Sequence, residues 1–379
     1  MSLFQIDAGK EWRGGQRQAF FLARELKRKG YVFRFYVQPD SPLHQKAEEA
    51  DLPVYPLKMR SEADLRAIFK LGRAMKKAKC RLVHSHDAHS AAIAAAAASR
   101  AKVPLRIVSR RVDFPVKNNF FTRKKYIDNI DLIIAVSEEV KRVLIQSGIP
   151  DWKIRVVPSG IDYSPFEEKR DKYYLHQELN FADNDFLVGI IAHLADHKGH
   201  KYLIQAMEVL KEKAPAVKLI IVGEGPLQLE LSRQAKENKV DNMVFFMGFR
   251  DDVPRILASL DLFVLSSYKE GLGSSILDAM ASRLPVVATQ AGGIPELVIH
   301  EQTGLLVPPK NPQSLAEAIL RVYEDRKLAQ QLAENGYKMV HDKFSASGMA
   351  EKIIREYERL AEKKRIQFSL AAKKETSRS

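Results

Sequence analysis

Residues 261–280 read Asp-Leu-Phe-Val-Leu-Ser-Ser-Tyr-Lys-Glu-Gly-Leu-Gly-Ser-Ser-Ile-Leu-Asp-Ala-Met, and this stretch indicates the fold class. The apolar run Leu262–Ser266 has the length of a buried strand, and a helical pattern begins at Ser274. Between them, Gly271 and Gly273 allow the backbone to approach a ligand closely. A strand, a glycine-rich turn and a helix in this order are typical of a parallel α/β sheet.

The glycine-rich turn is also the most informative candidate site. Free N–H groups at the start of a helix favour a bound anion, so the turn predicts a cradle for a diphosphate. The predicted phosphate-binding segment consists of Gly271, Leu272, Gly273 and Ser274. Asp278, one turn inside the helix, is placed to reach ribose hydroxyls, and Glu270 lies where a sugar would bind. The competing interpretation is an acidic surface loop with a glycine hinge.

Short apolar runs alternate with helical patterns on both sides of this stretch. Six strand candidates lie between Leu3–Ile6 and Ile154–Val157, and six more lie between Phe186–Ala192 and Gly304–Val307. Buried strands that alternate with helices predict parallel sheets covered on both faces. We therefore expect an α/β protein with two doubly wound, Rossmann-like domains that face each other across a cleft, with ligands at the carboxyl ends of the strands.

The polar stretch 161–181 predicts the domain boundary, because no alternating apolar pattern crosses it. We expect one domain over residues 1–165 and a second over residues 166–345. The amphipathic pattern of 346–364 predicts a last helix. The polar residues 370–379 are expected to be disordered, as chain ends often are.

The composition of the 379 residues excludes several classes of protein. Hydrophobic residues make up 45% and charged residues 28%, which excludes wholesale disorder. The sequence contains no apolar run of about 18 residues, so it predicts no membrane-spanning helix. The N-terminus does not resemble a secretory signal. The single cysteine, Cys80, excludes an internal disulfide and favours a reducing, cytoplasmic location.

The formal net charge of +14 is distributed unevenly. Residues 1–165 contain 31 basic and 17 acidic residues, whereas residues 166–379 contain 30 of each. Such asymmetry predicts an anionic partner for the first half: nucleic acid, a phospholipid surface or a phosphorylated substrate. The alternative is a basic surface that serves only solubility.

Three further motifs are candidates for ligand binding. Gly14-Gly15 precedes a predicted helix and indicates either an anion site or a plain tight turn. His84 and His86 share one face of a strand end, which is compatible with a hydrogen bond to a sugar or phosphate, with a structural role, or with zinc if Asp87 or His89 adds a ligand. Lys198 precedes a helix, where a cation opposes the helix dipole, and this conflict predicts a bound phosphate.

Together these motifs resemble retaining glycosyltransferases of the GT-B fold, family 4, over about residues 1–365. Further motifs that carry the resemblance are Ala135-Val136-Ser137, Val157-Pro158-Ser159-Gly160-Ile161-Asp162, Val222-Gly223-Glu224-Gly225-Pro226 and Gly248-Phe249-Arg250-Asp251-Asp252-Val253. The resemblance implies sugar transfer from a nucleotide-diphosphate sugar, UDP being the expected nucleotide, to a hydroxyl of a glycan or glycolipid. It also implies that the last helix, 346–366, returns to the N-terminal domain.

The resemblance assigns roles to individual residues. Lys198 corresponds to the lysine that binds the donor diphosphate, and Glu270 to the first acid of the family motif, near the donor sugar. Asp278 corresponds to the ribose-binding acid. Gly14 and Gly15 would close over the phosphate, and His86 would face the sugar. The predicted catalytic residues are Lys198, Glu270 and His86.

Two positions depart from the family pattern. His193 stands where an arginine usually assists the lysine, and histidine is only partly charged near pH 7. Asp278 stands where the family usually has glutamate, so the ribose must lie closer. No cofactor and no metal are expected, because Lys198, His193 and helix N-termini supply positive charge to the leaving diphosphate. Asp183-Asn184-Asp185 resembles a metal motif but precedes a strand, and we interpret it as a turn.

The acceptor side is predicted from the basic and aromatic stretch 111–126. Its candidate acceptor or membrane residues are Arg110, Arg111, Lys117, Phe120, Phe121, Arg123, Lys124 and Lys125. Apolar anchors beside cations suit an anionic membrane surface, whereas an ordinary half-buried helix is the alternative. We expect a role in lipopolysaccharide or polysaccharide synthesis, in the cytoplasm or on the inner face of the cell membrane.

Two other functions compete with glycosyl transfer. A nucleotide-sugar epimerase of the same fold would release a free sugar without an acceptor. A basic nucleic-acid-binding protein would explain the net charge, but no nucleic-acid-binding module is visible in the sequence.

Overall fold

The computed structural model describes residues 2–116, 127–167 and 171–366. The chain forms two compact units: Met1–Gly160 with Ala346–Ser379, here called unit 1, and Ile161–Ser345, called unit 2. Some predicted residues lie outside the described ranges: Lys117, Phe120, Phe121, Arg123, Lys124, Lys125 and the tail 370–379.

The division falls after Gly160, five residues before the predicted boundary at 165. The Ile161 N–H donates to the Phe344 carbonyl at 2.7 Å, and the Tyr163 hydroxyl donates to the Val340 carbonyl at 2.7 Å. Residues 161–165 therefore belong with unit 2, because their backbone and side chains bind its last helix.

Unit 1 contains a seven-stranded parallel sheet in the order β3-β2-β1-β4-β5-β6-β7. Its strands are β1 (Ser2–Ile6), β2 (Phe33–Val37), β3 (Val54–Pro56), β4 (Cys80–Ser85), β5 (Leu105–Arg110), β6 (Leu132–Ala135) and β7 (Ile154–Val156). Its first helices are α1 (Gly14–Arg28), α2 (Pro42–Glu49), α3 (Leu65–Lys77), α4 (Ala88–Ala101) and α5 (Glu138–Gln146). Apolar clusters cover both faces of this sheet, as its uninterrupted apolar strands predict.

Unit 2 contains a six-stranded parallel sheet in the order β10-β9-β8-β11-β12-β13. Its strands are β8 (Phe186–Ile191), β9 (Val217–Val222), β10 (Val244–Gly248), β11 (Leu262–Leu265), β12 (Val286–Thr289) and β13 (Leu305–Val307). Its helices are α6 (Tyr174–Leu179), α7 (His200–Lys213), α8 (Gln228–Glu237), α9 (Val253–Ser259), α10 (Ser274–Ala281), α11 (Pro312–Glu324) and α12 (Arg326–Lys343).

The last helix, α13 (Ala346–Lys363), belongs to unit 1. Met349, Ile353 and Tyr357 are buried in one apolar cluster with Leu22 and Leu26 of α1. The apolar stripe read from the sequence is therefore the face that packs on unit 1. Among the helices in the described ranges, none combines the length and apolar composition needed to cross a bilayer.

The helices differ in whether a side chain caps their first turn, and the uncapped ones that begin beside glycines are candidate ligand sites. Ser41, Asp64, Asp87 and Ser137 accept a hydrogen bond from the N–H three residues ahead and so cap α2, α3, α4 and α5. By contrast, no side chain caps α1, α7 or α10, and these helices begin beside glycines. Helices α6, α8 and α9 also lack a side-chain cap. The first N–H groups of α1, α7 and α10 differ in lying beside glycines, where an anion can approach the backbone closely.

Candidate active site

The candidate site of unit 2 lies where the order of its strands reverses, between β8 and β11. Ligands of doubly wound sheets bind at this position, because the loops that follow the two strands diverge there. The loop after β8 carries His193 and Lys198, and the loop after β11 carries Glu270 and leads into α10. The fold thus brings the predicted residues of this unit to adjoining loops.

Lys198 and Glu270 form an ion pair in this site. Their Nζ and Oε2 atoms are 2.5 Å apart, and only 19% and 12% of the two side chains is exposed. The Ser267 hydroxyl donates to the same carboxylate oxygen at 3.2 Å. The conflict between Lys198 and the dipole of the following helix predicted a bound phosphate. In this structure Glu270 supplies a negative charge, so phosphate binding stays a prediction.

Glycines bring the two loops into direct contact. Gly199 has φ +69°, and a Cβ atom there would lie 2.1 Å from the carbonyl oxygen of Ser266, at the end of β11. The Ser266 hydroxyl in turn donates to the Lys198 carbonyl at 3.0 Å. The position of Lys198 beside Glu270 therefore depends on a residue without a side chain at 199.

The start of α10 provides backbone donors next to this pair. Gly273 precedes the helix with φ +89°, a conformation that favours glycine, and no side chain caps the helix. The Ser274 N–H therefore has no side-chain capping partner in the described ranges, whereas the Ile276 N–H donates to the Gly273 carbonyl at 2.9 Å. Gly271 and Leu272 are buried in the preceding turn. This geometry is compatible with the predicted phosphate cradle.

Two further predicted donor-binding residues, Asp278 and His193, lie on the segments that follow β11 and β8. Asp278 is only 4% exposed, on α10, so any contact with a ribose involves a largely buried carboxylate. His193 is half-buried after β8. Burial, and then the charges of Lys198 and His193, lower the pKa of the neighbouring His200 to about 3. The roles of Asp278 and His193 stay predictions.

Sequence reasoning missed the residues that hold Glu270. Gly292 has φ +53°, and a Cβ there would lie 1.8 Å from the Glu270 carbonyl oxygen. The N–H of Gly293 donates to that oxygen at 3.0 Å. The Thr289 hydroxyl makes a short hydrogen bond to the Ser267 carbonyl. The Gly-Gly pair just after a predicted strand was the signal available in the sequence.

Unit 1 has an equivalent reversal of strand order, between β1 and β4. There Asp7 accepts from the Gly9 N–H at 2.8 Å and from the Gln16 amide at 3.1 Å, and Asp87 accepts from the Ala8 N–H at 2.7 Å. Burial and the charge of Asp87 raise the pKa of Asp7 to about 7. Asp7 was not predicted; the only signal was an aspartate at the end of an apolar strand.

Gly14 and Gly15 are the first residues of α1, so the interpretation as a plain tight turn is wrong. Arg111 lies beside them, since a Cβ on Gly15 would be 3.7 Å from its Cδ atom. Burial lowers the pKa of Arg111 to about 10 despite the nearby Asp7. Arg110 donates to the Phe114 carbonyl at 2.7 Å. Arg111 is therefore partly enclosed in unit 1, and its role at an acceptor or a membrane surface stays a prediction.

The two strand histidines are buried and differ in their partners. His84 contacts the Tyr357 hydroxyl at 2.6 Å and the Ser109 hydroxyl at 2.8 Å, so both ring nitrogens are used and its role is structural. His86 Nε2 lies 3.2 Å from the Gln5 side-chain oxygen, whereas its Nδ1 is buried and has no hydrogen-bond partner among the described residues. Burial lowers the pKa of both histidines. A contact between His86 and a sugar stays a prediction.

Two motifs of the sequence, His84/His86 and Asp183-Asn184-Asp185, have residue types that can ligate a metal. In the described ranges, no group of three or more His, Cys, Asp or Glu side chains is arranged to hold a metal ion, so the zinc alternative at His84 and His86 has no ligand set there. Asp183 and Asn184 form a turn before β8, as predicted, and Asp185 accepts from the Ala182 N–H at 2.9 Å.

Comparison with known proteins identifies the class of the fold. The profile described as Glycosyl transferases group 1 matches residues 171–339, and that of Glycosyltransferase Family 4 matches residues 12–164. The structure of Anabaena Alr3699/HepE in complex with UDP and glucose superposes with a TM-score of 0.84 at 23% identity, covering 95% of this chain and 100% of that one. The two sheets and this likeness define the GT-B fold.

Sequence relatives narrow the class to a family. TuaC of Bacillus subtilis (strain 168), named for teichuronic acid biosynthesis, is 31% identical over 288 residues, which are 73% of this chain and 70% of TuaC. An Escherichia coli UDP-Gal:alpha-D-GlcNAc-diphosphoundecaprenol alpha-1,3-galactosyltransferase is 27% identical over 70% of this chain and 72% of its own length. The match to glycosyltransferase MJ1607 of Methanocaldococcus jannaschii, at 30% identity, spans 59% of each chain. The chain belongs to glycosyltransferase family 4, the group 1 glycosyl transferases.

Proposed function

We propose that the protein transfers a sugar from a nucleotide-diphosphate donor to a hydroxyl of a glycan or glycolipid in cell-envelope synthesis. The observation that carries the proposal is the meeting of Lys198, Glu270 and the uncapped start of α10 where the strand order of unit 2 reverses. The complex of HepE with UDP and the lipid-linked acceptor in the name of the E. coli relative support a UDP-sugar donor and a lipid-linked acceptor.

The proposed chemistry concerns charge that develops on the leaving diphosphate. As the bond between sugar and phosphate breaks, negative charge grows on the diphosphate oxygens, and Lys198 with the first N–H groups of α10 stabilises it. No catalytic metal is needed in this proposal, because these groups supply the positive charge. We further propose that the sugar is transferred with retention at its anomeric carbon, as the family resemblance implies.

Donor binding requires an exchange of partners at Lys198. The diphosphate is proposed to replace Glu270 as the anion next to Nζ, which releases the Glu270 carboxylate to accept hydrogen bonds from sugar hydroxyls. The pair is largely buried, so separating the two charges without a replacement partner is costly. The exchange thereby links recognition of the diphosphate to recognition of the sugar.

Binding of the nucleoside end of the donor is proposed to depend on Asp278. Asp278→Asn should weaken binding of UDP about tenfold, because a neutral amide accepts more weakly from ribose hydroxyls than a carboxylate does. Titration calorimetry with UDP and a panel of other nucleoside diphosphates measures this change. Equal affinity of wild type and variant would remove Asp278 from the site.

We propose that the protein acts in the cytoplasm, on the inner face of the cell membrane where lipid-linked acceptors are available. Two outcomes would favour the competing functions instead. Release of a free sugar from the donor without any acceptor would favour an epimerase. Salt-sensitive binding of nucleic acid without turnover of any nucleotide sugar would favour a nucleic-acid-binding protein.

A further inference from the structure

Helix α3 presents an exposed basic face that the donor site does not use. The segment 65–81 contains seven basic residues and no acidic one: Arg66, Lys70, Arg73, Lys76, Lys77, Lys79 and Arg81. Within the part of the chain that the structure describes, none of the seven forms a salt bridge. Their charges are therefore not neutralised by carboxylates of the described residues.

Two large apolar side chains are exposed on the same helix. Leu65 is 66% exposed and Phe69, four residues later and so on the same face, is 49% exposed. Arg66, Phe69, Lys70, Arg73, Ala74 and Lys77 line one shallow groove. The Arg100 guanidinium of α4 lies 4.3 Å from the centre of the Phe69 ring. Apolar anchors and cations thus form one continuous surface, here called the α3 face.

The basic residues before the last turn do not serve the stability of the helix, whereas Lys76 and Lys77 in the last turn suit its dipole. Arg66, Lys70, Arg73 and Lys77 follow one another at spacings of three and four residues, where like charges repel. Arg66 also stands in the first turn, where a cation opposes the helix dipole. The opposite face of α3 is packed in the core through Ile68, Leu71 and Met75, so the helix cannot rotate to bury its exposed apolar groups.

The aspartate that precedes α3 is used as the helix cap. Asp64 accepts from the Ala67 and Arg60 N–H groups. A broad anionic surface with an apolar interior matches the α3 face in both charge and hydrophobicity. We propose that the α3 face docks the protein on anionic lipid bilayers, with Phe69 and Leu65 entering the headgroup region. This inference does not depend on the proposed sugar transfer.

The test uses the full chain and vesicles of neutral lipid, alone or with a third of anionic phosphatidylglycerol. Wild type should sediment with the anionic vesicles at low salt and be released at about 0.5 M NaCl, where the Debye length falls to ~4 Å. The variant Arg66→Gln/Lys70→Gln/Arg73→Gln/Lys77→Gln should lose at least tenfold in its partition to anionic vesicles. Phe69→Ser should weaken the partition severalfold while leaving its dependence on salt unchanged.

A matched control separates the α3 face from net charge. Lys213→Gln/Lys236→Gln/Arg326→Gln/Lys327→Gln removes four exposed cations of unit 2, none of which forms a salt bridge within the described ranges. This variant should sediment like wild type, and all variants should keep wild-type affinity for UDP.

Three results would overturn the proposal: no sedimentation of wild type with anionic vesicles, equal loss in the two quadruple variants, or binding of a soluble polyanion to the α3 face without binding to vesicles. Loss of UDP binding or of sugar transfer with intact sedimentation would count against the proposed function alone.

Discussion

The ion pair of Lys198 and Glu270 makes a specific prediction at the scale of single residues. Glu270→Gln removes the anion that competes with a diphosphate for Lys198, so UDP should bind at least as tightly as to wild type. Turnover of the sugar donor should fall tenfold or more, because the amide is a weaker partner for sugar hydroxyls. Calorimetry with UDP and a donor-consumption assay measure the two effects. A parallel loss of UDP affinity and turnover would contradict the exchange of partners at Lys198.

Asp7 provides a second prediction, on stability and pH. Its pKa is raised from 3.8 to about 7 in the folded protein, mainly by burial and then by Asp87. The folded state therefore holds a proton that the unfolded state has released between these pH values, and the contribution of Asp7 to stability decreases as pH rises from about 4 to 7.

Asp7→Asn cannot titrate, so the difference in Tm between the variant and wild type should shift in favour of the variant from pH 5 to pH 8. The Asn side chain keeps a carbonyl oxygen for the Gly9 N–H, and this limits the cost of the substitution itself. Thermal unfolding at both pH values measures the difference. A difference independent of pH would mean that Asp7 titrates near its ordinary value.

The residues of the two sites were not equally predictable. Lys198 and Glu270 stand next to glycine-rich turns at strand ends, and local sequence signals these features. Asp7 can be recognised as a candidate site residue only because it lies close to Asp87. This proximity depends on the pairing of β1 with β4. That pairing joins segments about 80 residues apart, so local pattern does not determine it. The structural role of His84 likewise depends on Tyr357, near the end of the chain.

At the scale of elements, the contact of Gly199 with the end of β11 can be tested against a matched glycine. Gly199 and Gly30 have similar φ angles of +69° and +73°, but a Cβ on Gly30 would meet nothing within 4 Å. Gly30→Ala should cost about 1 kcal/mol for the left-handed backbone alone. Gly199→Ala should cost at least about 2 kcal/mol more, because the Ser266 carbonyl must move.

Urea denaturation measures the two stabilities, and calorimetry measures UDP binding. Gly199→Ala should also weaken UDP binding, since the displaced loop carries Lys198. Equal stability losses in the two variants would show that the contact between the loops contributes nothing. Unchanged UDP affinity in a destabilised Gly199→Ala variant would separate the loop contact from the donor site.

Most of the long, strongly patterned strands and helices were predicted from the sequence. The second-half strands were placed within one or two residues, because uninterrupted apolar runs bounded by polar turns define them. The short elements β3, α2, α6 and α9 were missed, and so was the 18-residue helix α12. Short elements form where the surrounding fold positions them, and local pattern carries little information about them.

At the scale of the molecule, the two-domain organisation was predictable because each half repeats its own alternation of strands and helices. The division after Gly160 was less predictable. A polar composition identifies exposed residues, but it does not show that the Ile161 backbone pairs with Phe344 of unit 2. The uneven charge was visible from the start. Four of the basic residues of the first half, Arg66, Lys70, Arg73 and Lys77, line one groove on α3, a placement that charge counts alone do not give.

The most direct test of the central claim is consumption of nucleotide sugars by wild type and Lys198→Ala in the presence of EDTA. The measurement follows, by mass spectrometry, a panel of nucleotide-diphosphate sugars incubated with cell-envelope lipid and glycan extracts. Wild type should consume at least one donor, release its nucleoside diphosphate and join the sugar to an acceptor. The variant should be slower by about 10²-fold or more, because the lost cation stabilises charge in the transition state. Equal rates in the two proteins, a requirement for added Mg²⁺ or Mn²⁺, or no consumption of any donor would contradict the account.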